Sequence, residues 1–271
     1  MNLNNKTVII TGASSGIGKS CAEQFAQKGA NIVLAARQYA ALSTIKEDLE
    51  KRFGIKAIAV QCDVSKENEC AHLINEAVQA FKGIDILVNN AGISMRALFK
   101  DLDLVVLRNL MDVNFWGMVY CTKYALPHLL KSKGSVIGIS SVAGYHGLPG
   151  RTGYAASKFA MNGFLESLRI ENLKTGLHVM VVAPGFTASN IRQVALVKDG
   201  SPQGETSMDE NKMMTSDEAA ELIVEAAIKR NRTLVMTGQA KLTLFLDKFV
   251  PAWLDKLIYN HFTKEKDPLI V

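Results

Sequence analysis

Thr7-Val8-Ile9-Ile10-Thr11-Gly12-Ala13-Ser14-Ser15-Gly16-Ile17-Gly18-Lys19-Ser20-Cys21-Ala22 is the stretch that decides the fold. A β-branched, apolar run stops at Gly12, and an amphipathic stretch starts within a few residues of it. The run suits a strand covered on both faces, and the stretch suits a helix packed along that strand. Glycines between the two let the backbone turn sharply and let a pyrophosphate approach with no Cβ in the way. The N-terminus of the following helix presents unpaired N–H groups and partial positive charge to such a phosphate. A glycine turn alone is as readily only a turn; here the flanking strand and helix give it weight.

Working outward, the same alternation runs to about residue 237. Residues 7–11, 32–35, 57–61, 86–89, 136–140, 179–183 and 233–237 read as strands, with helices near 17–28, 39–53, 66–82, 103–131, 154–174 and 216–230. Strand, helix, strand without interruption predicts an α/β fold, a single Rossmann-type doubly wound parallel sheet of seven strands with helices on both faces. Residues 1–240 read as the cofactor-binding and catalytic domain, and 241–271 as a C-terminal amphipathic helical extension of it. Residues 188–214 are polar and rich in turn formers, too long for an idle connection, and read as a substrate lid. They close on Thr215-Ser216-Asp217-Glu218, a capping box that opens the next helix.

Bulk properties narrow the function. The 271 residues are 48% hydrophobic and 21% charged, ordinary for a globular chain, and the net charge of +5 is spread out. No run of Lys and Arg suits nucleic acid. Cys21, Cys62, Cys70 and Cys121 show no CxxC spacing and the histidines are scattered, so neither a metal site nor a disulfide frame is expected. Reduced thiols fit a cytoplasmic compartment. No apolar run is long enough to span a membrane, and the first strand follows Met1 too closely for a leader to be expected.

The second strand ends in Ala35-Ala36-Arg37, where an NAD-preferring protein usually carries an acidic residue for the ribose 2′-OH. Arg37 can instead pair with a 2′-phosphate through its guanidinium fork, with Ser14 as a second contact, which points to NADP(H). Tyr154-Ala155-Ala156-Ser157-Lys158 sets a phenol and an ammonium four residues apart on one helix face. A neighbouring cation favours the phenolate, so Tyr154 can give a proton to a carbonyl oxygen or take one from an alcohol. Ser141 follows a strand end, where ligand crevices form in open sheets, and its hydroxyl can fix the substrate oxygen beside Tyr154; Ser140 is the alternative.

Taken together, these motifs resemble the short-chain dehydrogenase/reductase family over about residues 5–237, whose TGxxxGxG turn matches Gly12, Ser14, Ser15, Gly16, Ile17 and Gly18. The order of features from Met213 through Trp253 is similar to the 11β-hydroxysteroid-dehydrogenase-like branch, which includes dehydrogenase/reductase member 7. The resemblance implies that Asp63 and Val64 meet the adenine and that Asn90 and Gly92, in Asn89-Asn90-Ala91-Gly92, lie along the cofactor. It implies that Asn114 holds a water linked to Lys158, and that Pro184, Gly185, Thr187 and Ser189 hold the nicotinamide end. Tyr154 and Lys158 would touch the cofactor as well as the substrate. A homodimer is implied, formed through the helices near 103–131 and 154–174.

Met95, His146, Leu148, Phe186 and Val194 join Ser141 and Tyr154 as substrate-pocket candidates, mostly apolar, which suggests a lipophilic carbonyl or secondary alcohol; His146 equally suits a loop residue facing water. In the tail, Leu242, Phe245, Phe249, Trp253, Leu257 and Ile258 recur at helical spacing and Pro251 divides them into two helices. Their apolar face covers the core, pairs with a second subunit, or rests on a membrane through residues 242–262. The leading expectation is an NADP(H)-dependent oxidoreductase. An NADP(H)-sensing binding protein without turnover and a peripheral membrane scaffold are the readings from other classes.

Overall fold

Seven parallel strands form one sheet in the order β3-β2-β1-β4-β5-β6-β7: β1 (Thr7–Thr11), β2 (Asn31–Ala36), β3 (Ala57–Gln61), β4 (Ile86–Asn89), β5 (Ser135–Ile139), β6 (His178–Ala183) and β7 (Thr233–Val235). The computed structural model describes residues 2–187, 191–204, 213–264 and 267–270. The chain leaves β1 outward through β2 and β3, then returns to place β4 on the other side of β1. That reversal opens a crevice at the carboxyl ends of β1 and β4, the usual ligand position in such sheets.

Side chains of successive strand residues point to opposite faces. Val8 and Ile10 therefore join one core with Ile32 and Leu34, under α1 (Gly16–Gln27), α2 (Tyr39–Phe53) and α7 (Ser216–Ile228). Ile9, Val33 and Leu87 join the other, under α3 (Glu67–Phe81), α5 (Gly117–Ser132) and α6 (Thr152–Glu171). Being apolar on both faces, these strands show no alternation in sequence. Ser20 Oγ donates to Asp217 Oδ1 at 2.6 Å and ties α1 to α7. The capping box at the start of α7 is present: Thr215 N–H donates to Glu218 Oε2 at 2.8 Å and Thr215 Oγ1 accepts from Glu218 N–H at 3.2 Å.

One helix differs from its sequence reading. The stretch near 103–131 is α4 (Leu104–Leu110), a wide π-helical turn (Met111–Trp116), then α5. Asn114 lies in the wide turn and is its buried residue. In the tail, α8 (Gly238–Phe249) and α9 (Pro251–Phe262) meet at Val250, with Pro251 in the first turn of α9 where its missing N–H costs nothing. The tail covers little of the main core, since Ala240 and Leu254 are buried while Leu242, Phe245, Phe249, Trp253 and Leu257 stay exposed.

Candidate active site

At the end of β1 the chain turns through Gly12 with φ at +66°, a conformation open to glycine. A Cβ there would sit 2.9 Å from both Ala91 Cα and Asn90 Nδ2, and a Cβ on Gly18 would collide with the Gly12 carbonyl and the Asn90 amide. The turn is fastened on two sides. Asn90 Nδ2 donates to the carbonyls of Thr11 and Gly12 at 2.9 and 3.2 Å, and Thr11 Oγ1 accepts the N–H groups of Asn90 and Ala91 at 3.0 Å each. Ala13 N–H donates to the Ala35 carbonyl at 3.1 Å on the β2 side. Ser15, just before α1, makes no side-chain cap, so the first-turn N–H groups keep their capacity for an anion. This bare, tightly packed turn fits a pyrophosphate.

Two further positions complete that side. Asp63 Oδ1 accepts from Ser65 N–H and Oγ at 3.0 and 2.8 Å, while Asp63 N–H donates to Glu69 Oε2 at 2.7 Å, which fixes the turn after β3 and buries Val64. Arg37 is exposed directly after β2 and has no ion-pair partner among the described residues.

The four catalytic candidates come from three elements and converge. Lys158 on α6 is 3% exposed; its Nζ donates to the Ile139 carbonyl at 2.8 Å and lies 5.7 Å from the centre of the Tyr154 ring. Ser141, two residues past the end of β5, accepts the Ala143 N–H at 3.1 Å and lies close enough to Tyr154 for its hydroxyl to pull the phenol's pKa downward. Because Oγ accepts from the backbone, its own proton can point to the Tyr154 oxygen or to an oxygen placed beside it in the crevice. Ser140, the alternative, turns into the protein, where its hydroxyl is buried with no partner among the described residues. Asn114 Oδ1 accepts from Ile93 N–H at 2.8 Å, and Nδ2 donates to the Ile93 carbonyl at 3.0 Å and to Ser157 Oγ at 2.9 Å. Ser157 Oγ passes on to the Tyr154 carbonyl at 2.8 Å, a link that the Tyr-x-x-Ser-Lys spacing offered and the sequence reading passed over. Gly92 lies where these meet: a Cβ there would be 3.2 Å from Asn114 Oδ1 and 3.6 Å from Lys158 Nζ.

Burial pushes the Tyr154 hydroxyl above its ordinary value, outweighing the downward pull of the Ser141 hydroxyl and of the Arg151 charge. Burial likewise brings the Lys158 ammonium down to about 8. Burial thus opposes the pull toward phenolate that a neighbouring cation exerts.

The remaining candidates scatter more. Thr187 is buried and its Oγ1 donates to the Gly185 carbonyl at 3.3 Å, following Pro184 after β6. Ser189 and residues 188–190 and 205–212 of the expected lid lie outside the described residues. The described part, 191–204, is tied down: Leu196 bridges Met95, with Leu196 N–H donating to the Ser94 carbonyl at 2.9 Å and Arg96 N–H to the Leu196 carbonyl at 2.8 Å. Met95 is fully buried in a small cluster with Ala97, Leu102, Val106 and Leu110, against which Tyr154 and Leu196 pack. Phe186 and Val194 are exposed, and Leu148 is half-buried. His146 does not face water; the tail covers it through Asp247 and Asp255. Arg151, missed in the sequence, donates to Ser94 Oγ at 3.1 Å and to the Met95 carbonyl, bracing the start of α6.

A glycine turn at a sheet reversal and a Ser-Tyr-Lys-Asn set at the neighbouring strand ends define a nucleotide-binding oxidoreductase site. Residues 6–198 match the family model described as short chain dehydrogenase, and the chain belongs to the short-chain dehydrogenase/reductase family. Its relatives fall in the 11β-hydroxysteroid-dehydrogenase-like branch. The 11-beta-hydroxysteroid dehydrogenase A of Arachis hypogaea is 35% identical over 271 residues, covering 95% of this chain and 76% of that one. The 11-beta-hydroxysteroid dehydrogenase-like 3 of Arabidopsis thaliana is 40% identical over 191 residues, or 70% of this chain and 62% of that one. Among solved structures, a short chain dehydrogenase/reductase from Burkholderia phymatum in complex with NAD superposes with a TM-score of 0.83 at 23% identity, covering 93% of this chain and 96% of that one. The alcohol dehydrogenase of Thermococcus sibiricus, complexed with 5-hydroxy-NADP, gives 0.74 at 24% identity, covering 86% and 96%. At such identities the structural likeness concerns the fold.

Proposed function

We propose that this oxidoreductase is NADP(H)-dependent and reduces a lipophilic carbonyl, steroid-like or a keto-lipid, the same groups serving the reverse oxidation of a secondary alcohol. The observation that carries the reading is the pairing of Tyr154 and Lys158 on α6: a buried phenol with the Lys158 ammonium 5.7 Å from its ring centre and held there by the Ile139 carbonyl. Gly12, Ser14, Ser15, Gly16, Ile17 and Gly18 would hold the pyrophosphate, Asp63 and Val64 the adenine, and Asn90, Gly92, Pro184, Gly185, Thr187 and Ser189 the nicotinamide half. The uncommitted guanidinium of Arg37 would take the 2′-phosphate. When bound, the nicotinamide supplies or accepts the hydride.

Ser141 donates its proton to the substrate oxygen and holds it beside Tyr154. Tyr154 then passes its own proton to that oxygen as the carbonyl becomes an alcohol, and the Lys158 ammonium stabilises the phenolate left behind. Asn114, pinned by Ile93 and Ser157, keeps the wide turn in place beside Lys158. The direction is set by the ratio of reduced to oxidised cofactor, since Tyr154 can either give or take the proton. The lipophilic substrate is supported by the exposed Phe186 and Val194 near the crevice and by the branch to which the relatives belong. Pairing of two copies is supported by Leu104, Val105, Trp116 and Phe159, large apolar side chains exposed on α4, the wide turn and α6.

Tyr154→Phe tests the mechanism. With a ketone that the wild type turns over, kcat/KM falls about 100-fold or more while NADPH binding, followed by fluorescence, persists. Turnover that survives the change sinks the role given to Tyr154.

A further inference from the structure

Ser141 can serve an oxygen in the crevice only while the short 3-10 turn that follows it, Val142–Gly144, stays in place beside α6. Ser141 folds that turn locally: its Oγ accepts the Ala143 N–H at 3.1 Å and its carbonyl accepts the Gly144 N–H at 3.0 Å. On the sheet side, Ser140 N–H donates to the Val182 carbonyl at 2.8 Å and fixes the chain as it leaves β5. On the helix side, Asn162 reaches across from α6. It is 8% exposed, and its Nδ2 donates to the Gly144 carbonyl at 2.8 Å. Tyr154, Lys158 and Asn162 follow at intervals of four along α6. The helix that carries the phenol and the ammonium therefore also holds the turn that carries the hydroxyl.

The turn is pressed against the helix as well as bonded to it. A Cβ on Gly144 would sit 2.7 Å from Ser140 Oγ, 2.9 Å from Asn162 Nδ2 and 3.0 Å from the Lys158 carbonyl, so glycine is what permits this approach. Asn162 Oδ1 is buried with no hydrogen-bond partner among the described residues. A buried amide with one end unmet costs stability that an apolar side chain of the same size does not. Core packing alone gives no reason for an amide at this place.

We infer that Asn162 is a positioning residue for the reaction: through the Gly144 carbonyl it sets where the Ser141 hydroxyl stands relative to Tyr154. Its amide is spent on the turn and takes no part in the proton transfer. Without that bond the turn keeps its internal hydrogen bonds but can rock away from α6 about the end of β5, and Ser141 Oγ moves with it. Misplacing a substrate-holding group by about 1 Å costs up to roughly 100-fold in rate, so a small rocking motion is enough to matter. The chemical part of the inference rests on the carbonyl-reductase reading, whereas the hold of Asn162 on the turn does not.

A double-mutant cycle tests the route of the effect. The wild type is compared with Asn162→Leu, Ser141→Ala and the pair, with NADPH and two probes, a ketosteroid and 2,3-hexanedione. On a probe that the wild type reduces, Asn162→Leu is expected to lower kcat about tenfold while Kd for NADPH holds within about twofold. On the Ser141→Ala background the same change is expected to cost less than about twofold, because the hydroxyl it positions is gone. Equal losses in the two backgrounds, or an unchanged kcat in Asn162→Leu, overturn the inference. Hydrogen–deuterium exchange of residues 143–146 is expected to rise about tenfold in Asn162→Leu, with strands β1 and β4 unchanged. Equal exchange overturns the hold on the turn. If Asn162→Leu does not fold, Asn162→Ser, whose side chain is too short to reach Gly144, takes its place in the cycle with the same expected outcomes. Should the wild type reduce neither probe, the carbonyl-reductase reading fails by itself, and the exchange result decides whether Asn162 holds the turn.

Discussion

The glycine turn after β1 and the loop after Ser141 are assembled by different means. On the cofactor side, the turn after β1 is gripped by backbone and by the side chains of strand ends: Asn90 and Thr11 bind main-chain groups, and Ala13 reaches Ala35. Nothing there has room to move, because Gly12 and Gly18 are already in contact with their neighbours. The loop after Ser141 is instead met from outside, by Asp247 on α8 and Asp255 on α9 at His146 and by Leu269 at Gly150. The first arrangement changes only by collision, and the second changes by exchanging a few side chains. One fold can thus keep its glycine turn while its loops change.

Breaking the rigid side gives the largest effect. Gly18→Ala places a methyl against the Gly12 carbonyl and the Asn90 amide, and NADPH binding by titration calorimetry is expected to weaken by at least about 3 kcal/mol, over a hundredfold in Kd. A Kd within about threefold of wild type would mean that the turn is looser than its contacts imply.

Lys158 sharpens the comparison where the two sides meet. Its folded value of about 8 lies below the ordinary 10.5, so between those values the unfolded chain binds the proton and the folded one does not. The cofactor-free protein should therefore gain stability as pH rises from about 8 to 10.5, by up to about 3 kcal/mol (2.5 units at about 1.36 each), and carry the full cost below 8. Lys158→Met should flatten that rise in urea melts taken across the window; an identical slope in the variant would locate the buried charge elsewhere. A smaller change is expected from Arg37→Asp, about 2 kcal/mol or thirtyfold in the NADPH/NADH ratio of kcat/KM, because an exposed side chain is screened and replaceable. An unchanged ratio removes the 2′-phosphate from this position.

Much of this was legible before any coordinates. The strands were read within a residue or two, since apolar runs of this length between glycine and polar turns have few other fates, and Pro251 marked the break between α8 and α9. The Ser141, Tyr154 and Lys158 set was legible because the residues share one motif order. What escaped the reading depends on distant partners. His146 is ambiguous until α8 and α9 bring Asp247 and Asp255 to it, and a loop histidine with unknown neighbours gives no sign of burial. The acidity of Tyr154 depends on how deeply Leu196, Met95 and their cluster enclose the phenol, which spacing on a helix does not report. The wide turn at Met111–Trp116 was hidden because its residues are as compatible with an ordinary helix.

That wide turn has a consequence for length variation in the gene. Val106, Leu110, Asn114 and Met118 are all buried, each four positions after the last. Three ordinary turns would use about 10.8 residues where this stretch uses 12, so the helix carries roughly one residue more than its geometry needs. Deleting a single codon between 111 and 116 would remove that surplus residue and close the turn into a regular helix, with α4 and α5 keeping the faces they bury. The change falls on the turn itself: Asn114 would lose the widened backbone from which it reaches Ile93 and Ser157. A deletion that leaves the core packing in place would thus act on the candidate site alone.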